Sequence, residues 1–323
     1  MPASIAHMLI SRAVRDKIPS SGNYKEFHDI LVKHSRFMEL GSLGPDLPYY
    51  ENMGRAVICA LLDKSDKPMG VDQWSYQLHS KDPNVFPLKM IEIAWREANE
   101  KLKYWEEDDQ QKFAFICGFL THIAADQIIH PIVNKIAGPY YKGGDHREMH
   151  RVCEVYQDIV IFNKRTGKSV LDEKLNEWCD INSGIGENVP VWFKYFIQKA
   201  FVEAHSIMPC EDAIEDWADG TLMTLRLLND LGPYTKASED FEKNKENSEK
   251  YKRFFSNEDY EKYFNEAINL SEIYIKATFK LYDADDLTDE DRGKFKTVVQ
   301  NADLSSPLQK EIYNSANINF AKW

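Results

Sequence analysis

The stretch from Phe113 to Glu154 constrains this chain more than any other, because it sets ionisable side chains into an apolar run. Phe113–Leu120 is almost wholly apolar, and His122, Asp126 and His130 then follow at intervals of four residues. On an α-helix each such step returns to within about 40° of the same face, so all three side chains share one stripe. After the Gly-rich break at Gly138–Gly144, His150 and Glu154 repeat the spacing on a second predicted helix. A lone histidine on an apolar helix is usually a hydrogen-bonded core residue. Five candidate ligands between His122 and Glu154 are a different matter, since buried ionisable groups are costly unless paired or metal-bound. Imidazole and carboxylate together form the donor set of zinc, with manganese and iron also served by it. Two such helices packed face to face can hold more than one ion.

Composition narrows the alternatives. A net charge of −12 argues against a double-stranded nucleic-acid groove, which needs a basic stripe, and against simple electrostatic adsorption on anionic membranes. Bound cations would offset part of that charge. The five cysteines are scattered and form no CxxC pair, so Cys117 and Cys153 are expected as reduced core residues. The first residues show no basic segment ahead of an apolar run, and no window is expected to reach the roughly 18 apolar residues of a transmembrane segment. The expected compartment is cytoplasmic.

Helical periodicity predicts helices over Ser4–Lys17, Asn23–Leu40, Asn52–Leu62, Pro87–Trp105, Gln111–Ala137, His146–Phe162, Val189–Ser206, Asp212–Asn229 and Glu258–Tyr282. His7 lies on the first. Asp46 sits in GSLGPDLPYY, where two glycines and two prolines oppose a regular helix, and its ordinary role there is to stabilise a turn. His79 follows Trp74 and Tyr76 and is unremarkable alone. Pro131 should kink or restart its helix and aim His130 at a separate metal. Asp145 is a predicted N-cap. Pro233–Phe254 reads as a solvated linker or exposed helix. The acidic run Asp283–Asp291 lacks the sixth-position glycine and twelfth-position glutamate of a calcium loop, and is rejected as one. The expected class is all-α, with a metal-binding helical catalytic domain over residues 1–235 and a helical C-terminal extension over 236–323. That extension carries no chemical motif; covering the site, setting substrate size and forming a homo-oligomer surface are its candidate roles.

The motifs GSLGPD (Gly41–Asp46), the His79 region, HIAADQIIHP (His122–Pro131) and HRVCEVYQD (His150–Asp158), together with His7, resemble the zinc-dependent phospholipase C family. That family shares its multi-helix fold with the S1/P1 nucleases, and the similarity spans roughly the first 160 residues. The resemblance implies a trinuclear zinc site. Asp46, His79, His122 and Asp126 would surround one ion, and His130, His150 and Glu154 a second. His7 would join a bridging Asp126 at the third. In the secreted lipases a terminal tryptophan amine also binds that third ion, whereas here no tryptophan precedes His7 and only Met1 or Pro2 could serve. A two-metal enzyme is therefore an alternative. Leu47 stands where choline-lipid enzymes carry an aromatic residue, leaving Tyr49 and Tyr50 to supply cation–π contacts. The family pattern selects His150, Glu154 and Asp158, with His146 as a spare near the site or on the surface and Asp158 orienting a ligand histidine.

Clustered zinc suits phosphoric ester hydrolysis. It neutralises phosphate oxygens, lowers the pKa of water and stabilises the leaving alkoxide, while Asp46 ligates or accepts a proton. The leading expectation is a metal-dependent hydrolase of a small-molecule or lipid-headgroup phosphate ester. The alternatives are a metal-stabilised binding or scaffold protein and a dinuclear metal oxygenase, the latter lacking the Glu-x-x-His pairs it needs. His28–Asp29 alone suggests an HD-type phosphohydrolase and reads better as a surface pair.

Overall fold

A computed structural model describes residues 4–51, 72–80, 82–100, 105–138, 145–182, 189–228, 232–244, 259–301 and 304. Among these residues the regular structure is entirely helical. In chain order the helices are α1 (Ser4–Lys17), α2 (Lys25–Lys33), α3 (Ser35–Gly41), α4 (Asp72–Ser80), α5 (Val85–Glu100), α6 (Glu107–Ala137), α7 (Asp145–Thr166), α8 (Asn176–Cys179), α9 (Val191–His205), α10 (Glu211–Arg226), α11 (Gly232–Asn244), α12 (Asp259–Tyr282) and α13 (Asp289–Val298). A 3₁₀ segment, Gly44–Tyr50, carries Asp46. The expected helix Asn52–Leu62 lies outside the described residues.

Helix α6 is the axis on which the others pack. Its 31 residues make it about 46 Å long, and every side chain from Lys112 to Ile129 is buried. A helix apolar on all sides must be surrounded, and α1, α3, α5, α7 and α12 surround this one. It is also long and apolar enough to cross a membrane, contrary to expectation, but 94% of the qualifying window is inside the protein, as in a core helix. Helix α6 starts a turn earlier than its apolar pattern because Glu106 and Asp109 form a reciprocal capping box, and Glu107 and Asp108 add negative charge to the first turn.

Two close approaches set the depth of the site. A Cβ on Gly118 would sit 1.9 Å from the Met38 carbonyl oxygen, and one on Gly41 would sit 2.1 Å from that of Phe115. Only glycine at both positions lets α3 and α6 touch backbone to backbone, and that contact delivers the Ser42–Asp46 corner to the middle of α6.

The acidic segment after α12 begins a helix, as its rejection as a calcium loop allows. Thr288 caps α13 and exchanges hydrogen bonds with Asp291. The boundary expected at residues 235–236 falls within α11, and α12 lies along α6, where Phe279 contacts Phe27 and Phe113. Asp145 is the first residue of α7 rather than its cap. The side chains of Cys117, Cys153 and Cys179 are buried, while that of Cys210 is exposed.

Candidate metal centre

Helices α1, α4, α6 and α7 and the 3₁₀ segment bring eight predicted ligands together. Three groups form, and within each the donor atoms lie within 4.8 Å of one another: His7, His122 and Asp126; Asp46, His79 and His122; and His130, His150 and Glu154. Asp126 is the hinge of the arrangement. Its Oδ1 is 3.3 Å from His7 Nε2 and 3.3 Å from His130 Nε2, while its Oδ2 is 3.2 Å from His122 Nε2 and 3.6 Å from His79 Nε2. Asp46 Oδ1 lies 3.3 Å from His79 Nε2, and its Oδ2 lies 3.9 Å from His122 Nε2. On the other side, Glu154 Oε1 is 3.0 Å from His150 Nε2 and 3.9 Å from His130 Nε2.

The expected effect of Pro131 is not what separates the groups. Helix α6 runs through Pro131 without restarting, so His130 keeps its place on the stripe and within reach of Asp126. The second group forms because α7 places His150 and Glu154 opposite His130.

The hydrogen bonds at the outer nitrogens fix what these imidazoles can do. Nδ1 of His79 meets the Ser75 carbonyl at 2.8 Å, that of His122 meets Ser42 at 2.8 Å, and that of His130 meets Leu304 at 2.7 Å. His150 Nδ1 makes a longer contact, 3.4 Å, to Gly138. A carbonyl only accepts, so each Nδ1 must carry the hydrogen, and each neutral ring then presents an Nε2 lone pair inward. Nε2 of His79 and Nε2 of His122 face each other at 3.3 Å. Both oxygens of Asp46, both of Asp126 and Glu154 Oε2 are buried without a well-formed hydrogen bond. Converging lone pairs and orphaned carboxylate oxygens require cations, either protons on the rings or metal ions. This donor set fits zinc, and the Nδ1–carbonyl bonds orient the rings as metal-binding histidines are oriented.

Without metal, protons fill that need. Burial works against charge on His79, but its hydrogen bond to Asp46 and the charges of Asp46 and Asp126 prevail and raise it to about 9. Burial also opposes ionisation of the two aspartates. The His122 and His79 charges nonetheless hold Asp46 below its ordinary value, and those of His130 and His122 hold Asp126 well below. His150 is raised by Glu154 against its own burial.

The remaining predicted residues separate. Asp158 orients no histidine ring directly. It accepts from the backbone N–H of Ala6 at 2.8 Å and from the Tyr234 hydroxyl at 2.6 Å, and so anchors the first turn of α1, one residue before His7. Burial raises it to about 7, against these hydrogen bonds. Tyr50 is fully buried with its hydroxyl 2.6 Å from Ser4, so it braces α1 and is removed from any substrate. Tyr49 is half-buried, with its ring 6.1 Å from that of His79. His146 is exposed, packs on Gly138 and bonds the Ala137 carbonyl at 3.2 Å; it joins none of the three groups. Leu47 faces an apolar cavity lined by Phe86, Phe119 and Phe201. His28 and Asp29 are a surface pair at 3.5 Å.

Sequence reasoning missed Gln157. It lines a cavity of about 10 Å³, room for one water-sized sphere, together with His7, Asp126, His130 and Glu154. Its Nε2 is buried without a partner. Its position three residues after Glu154, on the same helix face, was the available signal.

The fold and these groups define a helical protein with candidate metal-binding groups at its centre. Residues 6–205 match the family described as zinc-dependent phospholipase C, and the chain belongs to that family. No curated relative and no solved structure matches it. Family and donor groups together support a metal-dependent phosphoesterase that binds zinc.

Proposed function

We propose that this protein is a phospholipase C-like hydrolase that cleaves a phosphoric ester with a water activated at the centre. The observation that carries this is the set of inward Nε2 lone pairs facing carboxylate oxygens that have no other partner. Zinc, when bound, supplies charge neutralisation for the phosphate and a lowered pKa for water. Asp46, His79, His122 and Asp126 Oδ2 would hold one ion, and His130, His150 and Glu154 would hold the second. A third position has only His7 and Asp126 Oδ1, because His122 has a single free nitrogen; it is the weakest of the three.

The chain's own groups do the rest. Asp126, whose Oδ1 faces His7 and His130 and whose Oδ2 faces His122 and His79, would be shared between the sites. Asp46 stays ionised and takes the proton of the attacking water, and Gln157 offers an N–H to an oxygen of the reacting group. Tyr49, beside His79, contacts the alcohol portion of the ester.

The test is hydrolysis of bis(p-nitrophenyl) phosphate and of phospholipid vesicles by the full chain, with chelation and zinc restoration. The reading expects activity lost on chelation, regained with zinc and absent in Asp126→Ala. Bound zinc without cleavage of any ester would instead favour a metal-stabilised binding protein. Activity towards soluble esters alone would exclude the lipid.

A further inference from the structure

The described residues that follow α13, namely Val299, Gln300, Asn301 and Leu304, bond to the elements that carry the candidate metal ligands, although they lie nearly a hundred residues beyond the family match. Their contacts alternate between the loop after α4 and the face of α6. Asn84 Nδ2 donates to the Val299 carbonyl at 2.8 Å. Gln127 Nε2 donates to the Gln300 carbonyl at 3.0 Å, and the Gln127 oxygen accepts from the Tyr274 hydroxyl of α12 at 2.5 Å. Asn301 Nδ2 donates to Asp82 at 2.5 Å. Finally Leu304 donates its N–H to the His79 carbonyl at 2.9 Å and accepts from His130 Nδ1 at 2.7 Å. One residue thus touches a ligand from two of the three groups, one through its backbone and the other through its ring. The apolar side chains of Val298, Val299 and Leu304 are all buried, so the segment is anchored as well as hydrogen-bonded.

We propose that this segment is a positioning strap for the metal centre, with Leu304 as its working residue. The Leu304 carbonyl holds the hydrogen of His130 on Nδ1 and so keeps Nε2 free to ligate. The Leu304 N–H pins the end of α4 that carries His79. The C-terminal helices thereby acquire a function: α12 and α13 deliver the strap. Linkage makes the effect reciprocal, so ions that draw His130 and His79 inward must also tighten the strap.

This inference rests on the zinc reading above, and the experiment separates the two. Amide hydrogen exchange at Leu304 is measured in the full wild-type chain with zinc and after chelation. Zinc affinity is then measured by competition titration in Asn84→Leu and Leu304→Pro, with helical circular dichroism as the folding control. The expected results are Leu304 exchange at least about tenfold faster without zinc, and about 10–100-fold weaker binding of one zinc equivalent in the folded variants. A wild-type chain that takes up no zinc overturns the metal reading and the strap together. A zinc-binding wild type whose Leu304 exchange ignores the metal, or folded variants with wild-type affinity, overturns the strap alone.

Discussion

Asp46 is asked to be both ligand and base, and one substitution separates these roles. Asparagine keeps an oxygen donor but cannot take a proton. Asp46→Asn should therefore retain most of its zinc while kcat falls about 10²–10⁴-fold; unchanged kcat with zinc bound would remove the base from the account. Asp158 acts on α1 rather than on the ions. Asp158→Ala deprives the Ala6 N–H and the Tyr234 hydroxyl of their acceptors, and should cost about 1–2 kcal/mol in urea unfolding, part of it restored by Asn, whose one carbonyl oxygen replaces one of the two. The residues also differ in how legible they were. His122, Asp126 and His130 stand out because helical spacing alone puts them on one face. Asp46 and His79 were recognised only through a family resemblance, since contacts between distant segments leave no local period. Leu304 could not be read at all, because it works through a peptide group that every residue but proline has.

At the scale of elements, two contacts are more telling than propensity. Gly118→Ala would put a Cβ 1.9 Å from the Met38 carbonyl, forcing α3 away from α6 and moving Ser42, the acceptor for His122, with it. Overpacking of this kind costs about 1–3 kcal/mol or more, and zinc binding should weaken along with thermal stability. Gly138 ends α6 at φ 84 and ψ 165, a backbone region open essentially to glycine alone, and its carbonyl faces His150. Most helices were legible from their apolar periods, and α1 coincides with its predicted bounds. The start of α6 moved for a capping reason, at Glu106. Continuity through Pro131 was not legible, because tertiary packing along a buried helix overrides the loss of one backbone hydrogen bond. The role of the late helices was hidden for a related reason: α12 and α13 serve the site by delivering a backbone segment, which no motif encodes.

For the molecule as a whole, metal and protons compete for the same inward-facing atoms. His79, raised to about 9, carries a proton at pH 7 in the metal-free protein, and a ligand imidazole must be neutral. Zinc binding should therefore release at least one proton at pH 7, and affinity should climb with pH until about 9 and level off above it. Asp46 and Asp126 are already ionised at neutral pH and add nothing to that release. Calorimetric titration in two buffers of different ionisation enthalpy measures it, and buffer-independent heats would contradict this ordering. The centre itself is tested most directly by diffraction from crystals of the full chain at energies on either side of the zinc absorption edge. The account predicts two strong anomalous peaks, one enclosed by Asp46, His79, His122 and Asp126 and one by His130, His150 and Glu154, with a weaker third between His7 and Asp126. Zinc-supplemented crystals with no anomalous density among these side chains would contradict it.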